Sequence, residues 1–315
     1  MPTLKRFYAA SFVFLVLTLC ASIAAAQAPV RLPRPSPKAS VMQTIGVTDV
    51  TITYSRPGVK GRTIWGDPLP EQASVKGEAT LDDQNVRPKG APIVPWGHAW
   101  RTGANEATQF VVTDDVLING QKLPAGSYSL HTIPAKDEWT IIFNSVANQW
   151  GSFSYDPAKD TLRVKAKPEW VGDNKEWLEY WIDPVNANSA QVNIRWEKVR
   201  VPFTVEVPSV EAVWRANVQK AMAANPTDEK IAASVAGTLA GEDNFAEALK
   251  WIDQSIKVKE TFQNLATRSL ILYDLGRKDE ALAAAEQALA RGKADKIDTA
   301  RFEKRLAIMK AGGKL

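Results

Sequence analysis

The densest group of chemically capable side chains lies in the segment Trp96–Thr108, which reads WGHAWRTGANEAT. Arg101 carries a planar guanidinium that can fork onto a carboxylate or phosphate group of a ligand. Asn105 can orient a ligand carbonyl through its side-chain amide. The segment therefore predicts a site for a polar ligand, with Arg101, Asn105, Glu106 and Thr108 as the binding residues.

Two other interpretations of this segment stay open. In a catalytic one, surrounding tryptophans raise the pKa of the Glu106 carboxyl, so that it acts as a general acid or base with His98 or Arg101 assisting. In a purely structural one, Gly103 adopts a positive φ, Asn105 closes a turn, and Arg101 pairs with Glu106. The interpretations differ in the partners that they predict for Arg101 and Glu106.

Metal and cofactor chemistry find little support in the sequence. The chain has two histidines, His98 and His131, and with Glu106 they could form a three-ligand zinc site. Their separation does not favour this over chance, and a His-Glu-x-x-His motif is absent. A phosphate-binding loop, a dinucleotide fingerprint and a Gly-x-Ser-x-Gly elbow are also absent. No metal and no cofactor are predicted.

Two further features are weaker candidates for a site. The basic turn Tyr54–Arg62 (YSRPGVKGR) could cradle an anion, although a solvated hairpin tip is the commoner role. Trp170, Trp177 and Trp181 could stack on sugar rings. Trp177 and Trp181 have the same parity along a predicted strand, which core packing also requires. We therefore expect these tryptophans to lie in the core.

The elements that must position these residues are strands. From Ala39 to about Val207, roughly ten short apolar runs follow one another at a spacing of about ten residues without helical patterns. Asn119-Gly120 between two of these runs is a strong hairpin signal. The pattern predicts a mainly β domain, an antiparallel sandwich or barrel, in which nine of the eleven tryptophans lie.

The pattern becomes helical after Pro208 and contains an internal repeat. Phe245–Ile256 aligns with Lys278–Leu289 at an offset of 33 residues, close to the 34-residue tetratricopeptide period. Thr299–Lys310 is expected to cap the stack. The sequence therefore predicts an all-α C-terminal domain of tetratricopeptide-like helical hairpins.

Three motifs in the β region together resemble a known bacterial family. They are Tyr54–Arg62, Trp96–Thr108 and Leu123–Leu130 (LPAGSYSL). In this order they are similar to the family described as domain of unknown function 2911, over about residues 35–207. The resemblance implies an exported bacterial protein with a β-rich domain, and it implies no reaction.

The N-terminus has the three parts of a secretory signal: the basic residues Lys5 and Arg6, a short apolar run, and an Ala-x-Ala site. We expect cleavage after Ala26. Leu19 precedes Cys20 where a lipoprotein signal carries a small residue, so lipidation is not expected. Cys20 is the sole cysteine, and the mature chain then has no thiol chemistry and no disulfides.

The predicted organisation has four parts: signal peptide 1–26, proline-rich linker 27–38, β domain 39–207 and helical repeats 209–315. Without the signal peptide the net charge is close to +2, too small to favour nucleic acid or an anionic membrane. We predict a periplasmic or secreted, non-catalytic binding protein whose helical repeats contact a protein or peptide, with no stable membrane insertion. A cell-envelope hydrolase acting on a saccharide or peptide through Glu106 is the alternative.

Overall fold

Two antiparallel sheets form the first part of this computed structural model, which describes residues 32–70 and 88–314. The predicted signal peptide and the start of the proline-rich linker lie outside the described residues. One sheet has six strands and the other has four, and a short parallel pair of strands lies beside them.

Most of the strand bounds follow the predicted apolar runs, although no run was predicted at Lys38–Ile45, Trp65–Gly66 or Val94–Pro95. They are β1 (Lys38–Ile45), β2 (Thr48–Ser55), β3 (Trp65–Gly66), β4 (Val94–Pro95), β5 (Thr108–Val112), β6 (Val116–Ile118), β7 (Gln121–Leu123), β8 (Gly126–Ile133), β9 (Trp139–Asn144), β10 (Asp160–Ala166), β11 (Glu169–Asn186) and β12 (Ser189–Glu206). The six-stranded sheet has the order β1-β2-β5-β8-β9-β10, and the four-stranded sheet has the order β11-β12-β6-β7. Of the apolar runs in the sequence, Ala190–Trp196 and Val199–Val207 both correspond to β12, and Trp177–Ile182 covers only part of β11. In the structure β11 and β12 are two 18-residue strands paired along most of their length.

The two sheets enclose one apolar core. Val50, Ile52 and Tyr54 of β2 point into it, and the residues between them are half-buried. Phe110, Phe143 and Phe203 contact one another across the two sheets. The predicted antiparallel β domain is therefore confirmed, in the form of two sheets facing a shared core.

The predicted Asn119-Gly120 hairpin joins β6 to β7. Asn119 has φ 45° and Gly120 has φ 80°, and Ile118 pairs with Gln121 across the two-residue turn. Positive φ at both central residues defines a type I′ turn, which matches the twist of the flanking strands.

Six helices follow the sheets, so the predicted all-α C-terminal region is confirmed. They are α1 (Val210–Ala224), α2 (Glu229–Gly241), α3 (Phe245–Val258), α4 (Phe262–Asp274), α5 (Lys278–Ala294) and α6 (Ala300–Lys310). The helices α2 and α3 form one hairpin, and α4 and α5 form a second. None of the described helices is long and apolar enough to cross a membrane.

The turns inside the two hairpins repeat at the same offset of 33 residues. In the first hairpin the amide of Asp243 donates to Ala240, and in the second the amide of Gly276 donates to Tyr273. Asp243 and Gly276 both adopt left-handed backbone, with φ 60° and 75°. This arrangement satisfies the last carbonyls of α2 and α4 in the same way.

The first helix fastens the hairpins to the β domain. A Cβ atom on Gly46, in the β1–β2 turn, would lie 2.5 Å from a methyl group of Val210 at the start of α1. Asn217 of α1 donates a 3.1 Å hydrogen bond to Asp114 in the turn after β5. Glycine at position 46 therefore permits both the positive φ and the close approach of the helix.

The turn geometry predicts opposite effects for two glycine-to-alanine changes. Gly276→Ala places a Cβ on a left-handed residue, and we expect it to lower the free energy of unfolding by about 1 kcal/mol or more. Gly237→Ala, inside α2 where an added Cβ meets open space, should raise it by up to about 1 kcal/mol. Urea unfolding followed by circular dichroism measures both. Equal effects of the two changes would contradict the turn assignment.

Candidate functional site

The Trp96–Thr108 loop is anchored at both ends by backbone pairing. Trp100 and Thr132 exchange hydrogen bonds of 2.8 and 2.9 Å, which attach the loop to the end of β8. At the other end, the amide of Ala107 donates to Gln149, and the amide of Gly151 donates to Asn105. The loop therefore lies between strand β8 and the segment that follows β9.

Hydrogen bonds between residues of the loop fold it back on itself. The amide of Thr108 donates to the Arg101 carbonyl, and its hydroxyl donates to the Thr102 carbonyl at 2.9 Å. The Trp100 indole donates to the Gly103 carbonyl, and a Cβ on Gly103 would lie 2.8 Å from the Thr108 hydroxyl. Thr108 is fully buried, so the structure gives this predicted binding residue a place inside the loop.

The left-handed residues of the loop differ from the expectation. The structural interpretation gave a positive φ to Gly103, whereas Thr102 and Asn105 adopt φ 50° and 59°. The buried hydroxyl of Tyr180 donates to the Thr102 carbonyl at 2.8 Å, which helps to hold that residue in place. Asn105 tolerates this backbone because its short amide can bond locally.

Arg101 and Glu106 also differ from the structural interpretation, which paired them. Glu106 pairs instead with Arg34. The Nη1 atom of Arg34 lies 2.7 and 2.8 Å from the two carboxylate oxygens of Glu106. Arg101 donates from its Nη1 to the Asn105 carbonyl at 2.6 Å. Arg34 is 72 residues from Glu106 along the chain, and sequence patterns did not indicate the pairing.

The residues just before β1 pack against the Trp96–Thr108 loop. The Asn105 amide donates to the Ser36 carbonyl at 3.1 Å, and the Arg56 amide donates to the Pro37 carbonyl at 2.8 Å. The guanidinium carbon of Arg34 lies 6.0 Å from the ring centre of Trp150, at the distance of a weak cation–π contact. We call residues 34–37 the arm.

The carboxyl of Glu106 has a lowered pKa. Partial burial is the largest single influence and acts to raise it. The hydrogen bonds from Arg34 and from the backbone amide of Glu106, together with the charges of Arg34 and Lys38, outweigh burial. The catalytic interpretation required a raised pKa and is wrong on this point, because a carboxylate stabilised in this way is a weaker base.

Residues from two sequence motifs, the basic turn Tyr54–Arg62 and the Trp96–Thr108 loop, line one cavity of about 270 Å³. Arg62 comes from the basic turn after β2, and Arg101 comes from the loop. The other described lining residues are Ser36, Pro57, Ile93, Trp100, Gly103, Ala104, Asn105, Trp150 and Trp196. Among these residues there are two guanidinium groups, three indoles and no carboxylate. We call it the two-arginine cavity.

Arg62 is held by its own turn. Its Nε donates to the Val59 carbonyl, and its Nη2 donates to the Gly58 carbonyl. The hydrogen-bonded turn therefore fixes the direction of this guanidinium before any ligand arrives.

Glu106 lines a different, neighbouring cavity of about 290 Å³. Trp150 borders both cavities, and its side chain is 56% exposed. The neighbouring cavity also contains the amides of Gln109, Asn148 and Gln149. Sequence reasoning missed Trp150, although a tryptophan in a polar stretch between two strands was the available signal.

The two histidines are buried, and neither is among the described residues that line the Glu106 cavity or the two-arginine cavity. His98 is 7% exposed and is not among the residues that line the Glu106 cavity. His131 is fully buried on the outer face of β8, with its ring centre 4.8 Å from that of Tyr155. Across residues 32–70 and 88–314, no group of three His, Cys, Asp or Glu side chains could hold a metal ion.

The fold and the loops define a two-sheet antiparallel β domain that carries a polar cavity and is followed by helical hairpins. Residues 36–205 match the family described as protein of unknown function (DUF2911), and the chain belongs to this family. Comparisons with curated proteins and with solved structures gave no significant match. The family match ends before the helices, so their tetratricopeptide assignment stays a prediction.

The Arg34–Glu106 contact generates a prediction about pH. Arg34→Gln should raise the pKa of Glu106 toward its ordinary value, and Lys38→Gln should do so by less, because Lys38 acts only through its charge. Carboxyl NMR titration measures both shifts. An unchanged pKa in Arg34→Gln would contradict the pairing.

The same contact makes a small contribution to stability. A lowered pKa stabilises the fold above the ordinary glutamate pKa, and the effect is lost as the pH falls through the lowered one. Both side chains are more than a third exposed, so the cost of Arg34→Gln should stay below about 1 kcal/mol.

Proposed function

We propose that this chain is an exported, non-catalytic binding protein whose β domain holds a small organic anion in the two-arginine cavity. The observation that carries the proposal is that Arg62 and Arg101, from two separate motifs, line one cavity together with three indoles. Guanidinium groups match carboxylate and phosphate oxygens in geometry and in charge.

The aromatic walls favour a carboxylate attached to an apolar body. Trp100 and Trp196 are almost completely buried, so their rings form a rigid wall. Their centres lie 5.8 Å apart with an angle of 19° between the planes. A volume of about 270 Å³ suits a ligand at the small end of the usual range.

The hydrogen bonds of Asn105 also favour a ligand that carries a carboxylate. Its backbone carbonyl accepts from Arg101, and its side chain bonds to the arm. The residue therefore links the position of the Arg101 guanidinium to the position of the arm. A ligand carboxylate bound by Arg101 would find both already in place, which lowers the entropic cost of binding.

A hydrolase acting through Glu106 has less support. Glycoside hydrolysis commonly uses two carboxyl groups, one of them with a raised pKa. Glu106 is the only carboxylate among the described residues that line its cavity, and its pKa is lowered. These features favour a binding role for the β domain.

The helical hairpins are the proposed contact for a protein or peptide partner. A cavity of about 680 Å³ lies between α1 and α2, next to the β1–β2 turn. Val47, Val210 and Leu239 give it apolar walls, and Trp214 and Arg215 lie at its side. Such a mixed groove suits an extended segment with apolar side chains.

Anion binding is tested with benzoate, succinate and inorganic phosphate, and with benzamide as the neutral counterpart of benzoate. Isothermal titration calorimetry should detect benzoate but not benzamide. Arg101→Lys and Arg62→Lys should each weaken benzoate binding about tenfold or more, because lysine cannot bind a carboxylate bidentately.

The matched control for these variants is Arg277→Lys, which changes an exposed arginine of the second hairpin. It should bind benzoate as the unaltered chain does. Phosphate binding without benzoate binding would assign the site to phosphate esters. Equal binding of benzoate and benzamide, or binding unaffected by either cavity variant, would refute the proposal.

Export is tested separately by expressing the full chain in a bacterium with a periplasm. Intact-mass measurement of the periplasmic fraction should give a chain that begins at Gln27. A full-length chain retained in the cytoplasm would contradict export. A lipid-modified chain beginning at Cys20 would contradict the expected type of signal.

A further inference from the structure

Another groove lies beside β3 and β4, outside the Arg101 part of the proposed anion site. Its volume is about 600 Å³, and Trp65, Trp96 and Trp170 lie along it. Among the described lining residues, Arg62 is the only one that it shares with the two-arginine cavity. We call it the tryptophan groove.

The most exposed of the three indoles departs from the expectation of core packing. Trp170 is 55% exposed, Trp177 is 37% exposed and Trp181 is half-buried outside the core, so the core prediction is wrong for all three. The prediction for Trp177 and Trp181 relied on strict alternation, which a register shift between Lys175 and Glu179 interrupts. Together with Trp65 and Trp96, Trp170 forms an aromatic patch along the groove, and contiguous exposed apolar patches commonly mark binding surfaces.

The groove presents two indole planes as a rigid corner. Trp96 and Trp170 meet at 79°, with ring centres 6.4 Å apart. Trp96 stacks on Trp65 at an angle of 8°, and Trp65 in turn packs edge-on against the fully buried Trp139 and Trp196. The corner is therefore formed in advance, and binding need not order it.

The rim of the groove carries both acceptors and donors. Asp67, Asp137 and Glu197 supply carboxylate oxygens, and Arg62 and Lys136 supply N–H groups. A sugar hydroxyl both donates and accepts hydrogen bonds, and the C–H face of a pyranose is flat and apolar. A rim of mixed sign around aromatic planes meets both requirements.

A quaternary ammonium ligand is the main rival for an aromatic corner. Such a ligand is favoured by a strongly negative surround, whereas the three carboxylates and two cations of the described rim leave a net charge of only −1. Lys136 lies at the rim with its Nζ 3.4 Å from the Asp67 carboxylate, and Arg62 adds a second positive charge. Both cations oppose a cationic ligand and leave hydrogen bonding to a neutral one unaffected.

We propose that the tryptophan groove binds a neutral oligosaccharide, with one sugar ring stacked on Trp170 beside Trp96. Hydroxyl groups of the sugar bond to the carboxylates and N–H groups of the rim. This site differs from the anion site in that its ligand carries no charge and Arg101 does not line it, although Arg62 lines both.

The test uses maltotriose, cellotriose and the trimer of N-acetylglucosamine as probes, with tetramethylammonium as the rival. Calorimetry and indole fluorescence should detect at least one trisaccharide at millimolar concentration or below. Trp170→Ala should weaken that binding about tenfold, and Trp170→Phe should weaken it less because it keeps an aromatic plane. Thermal unfolding of each variant checks the fold.

The matched control is Trp177→Ala, which removes another exposed tryptophan outside the groove and should leave trisaccharide binding unchanged. Binding of none of the trisaccharides would overturn the proposal. Equal losses in Trp170→Ala and Trp177→Ala would do the same, as would Trp170-dependent binding of tetramethylammonium alone. Arg101→Lys should keep trisaccharide binding, which separates this result from that of the anion site.

Discussion

The two-arginine cavity and the tryptophan groove both depend on the packing of the Trp65 indole. Its ring centre lies between 5.2 and 6.0 Å from those of four other tryptophans, Trp96, Trp100, Trp139 and Trp196. These residues come from β3, from the loop after β4, from β9 and from β12. The cluster therefore fastens the loop to both sheets. Its surfaces form the wall of the two-arginine cavity on one side and of the tryptophan groove on the other.

Local patterns in the sequence predicted the elements well. The Asn119-Gly120 turn and the 33-residue offset of the hairpins depend on neighbouring residues, so they are visible in a short stretch of chain. The same holds for the apolar runs that became strands. Propensity and periodicity act over a few residues, and they describe such features directly.

The partners of the site residues could not be predicted in the same way. Glu106 pairs with Arg34, which lies in a proline-rich stretch that has no periodicity. Arg62 and Arg101 meet only because the β2–β5 pairing brings the basic turn beside the loop. Such contacts depend on which strands pair, and that choice is set by the whole core. The parity argument for Trp177 and Trp181 failed because a register shift between Lys175 and Glu179 in the β11–β12 pairing breaks the alternation.

The cluster of indoles also bears on how the β domain is stabilised. Cys20 is the only cysteine in the chain, so no disulfide can link the described residues to one another. A buried indole removes about 150–250 Å² of surface from water, which gives a domain of this size a large apolar contribution. Because the same indoles form the cavity walls, replacing Trp100 or Trp196 would change stability and binding together. Residues at the cavity edge, such as Trp170 and the two arginines, contribute less to the core, and their substitution therefore separates binding from folding.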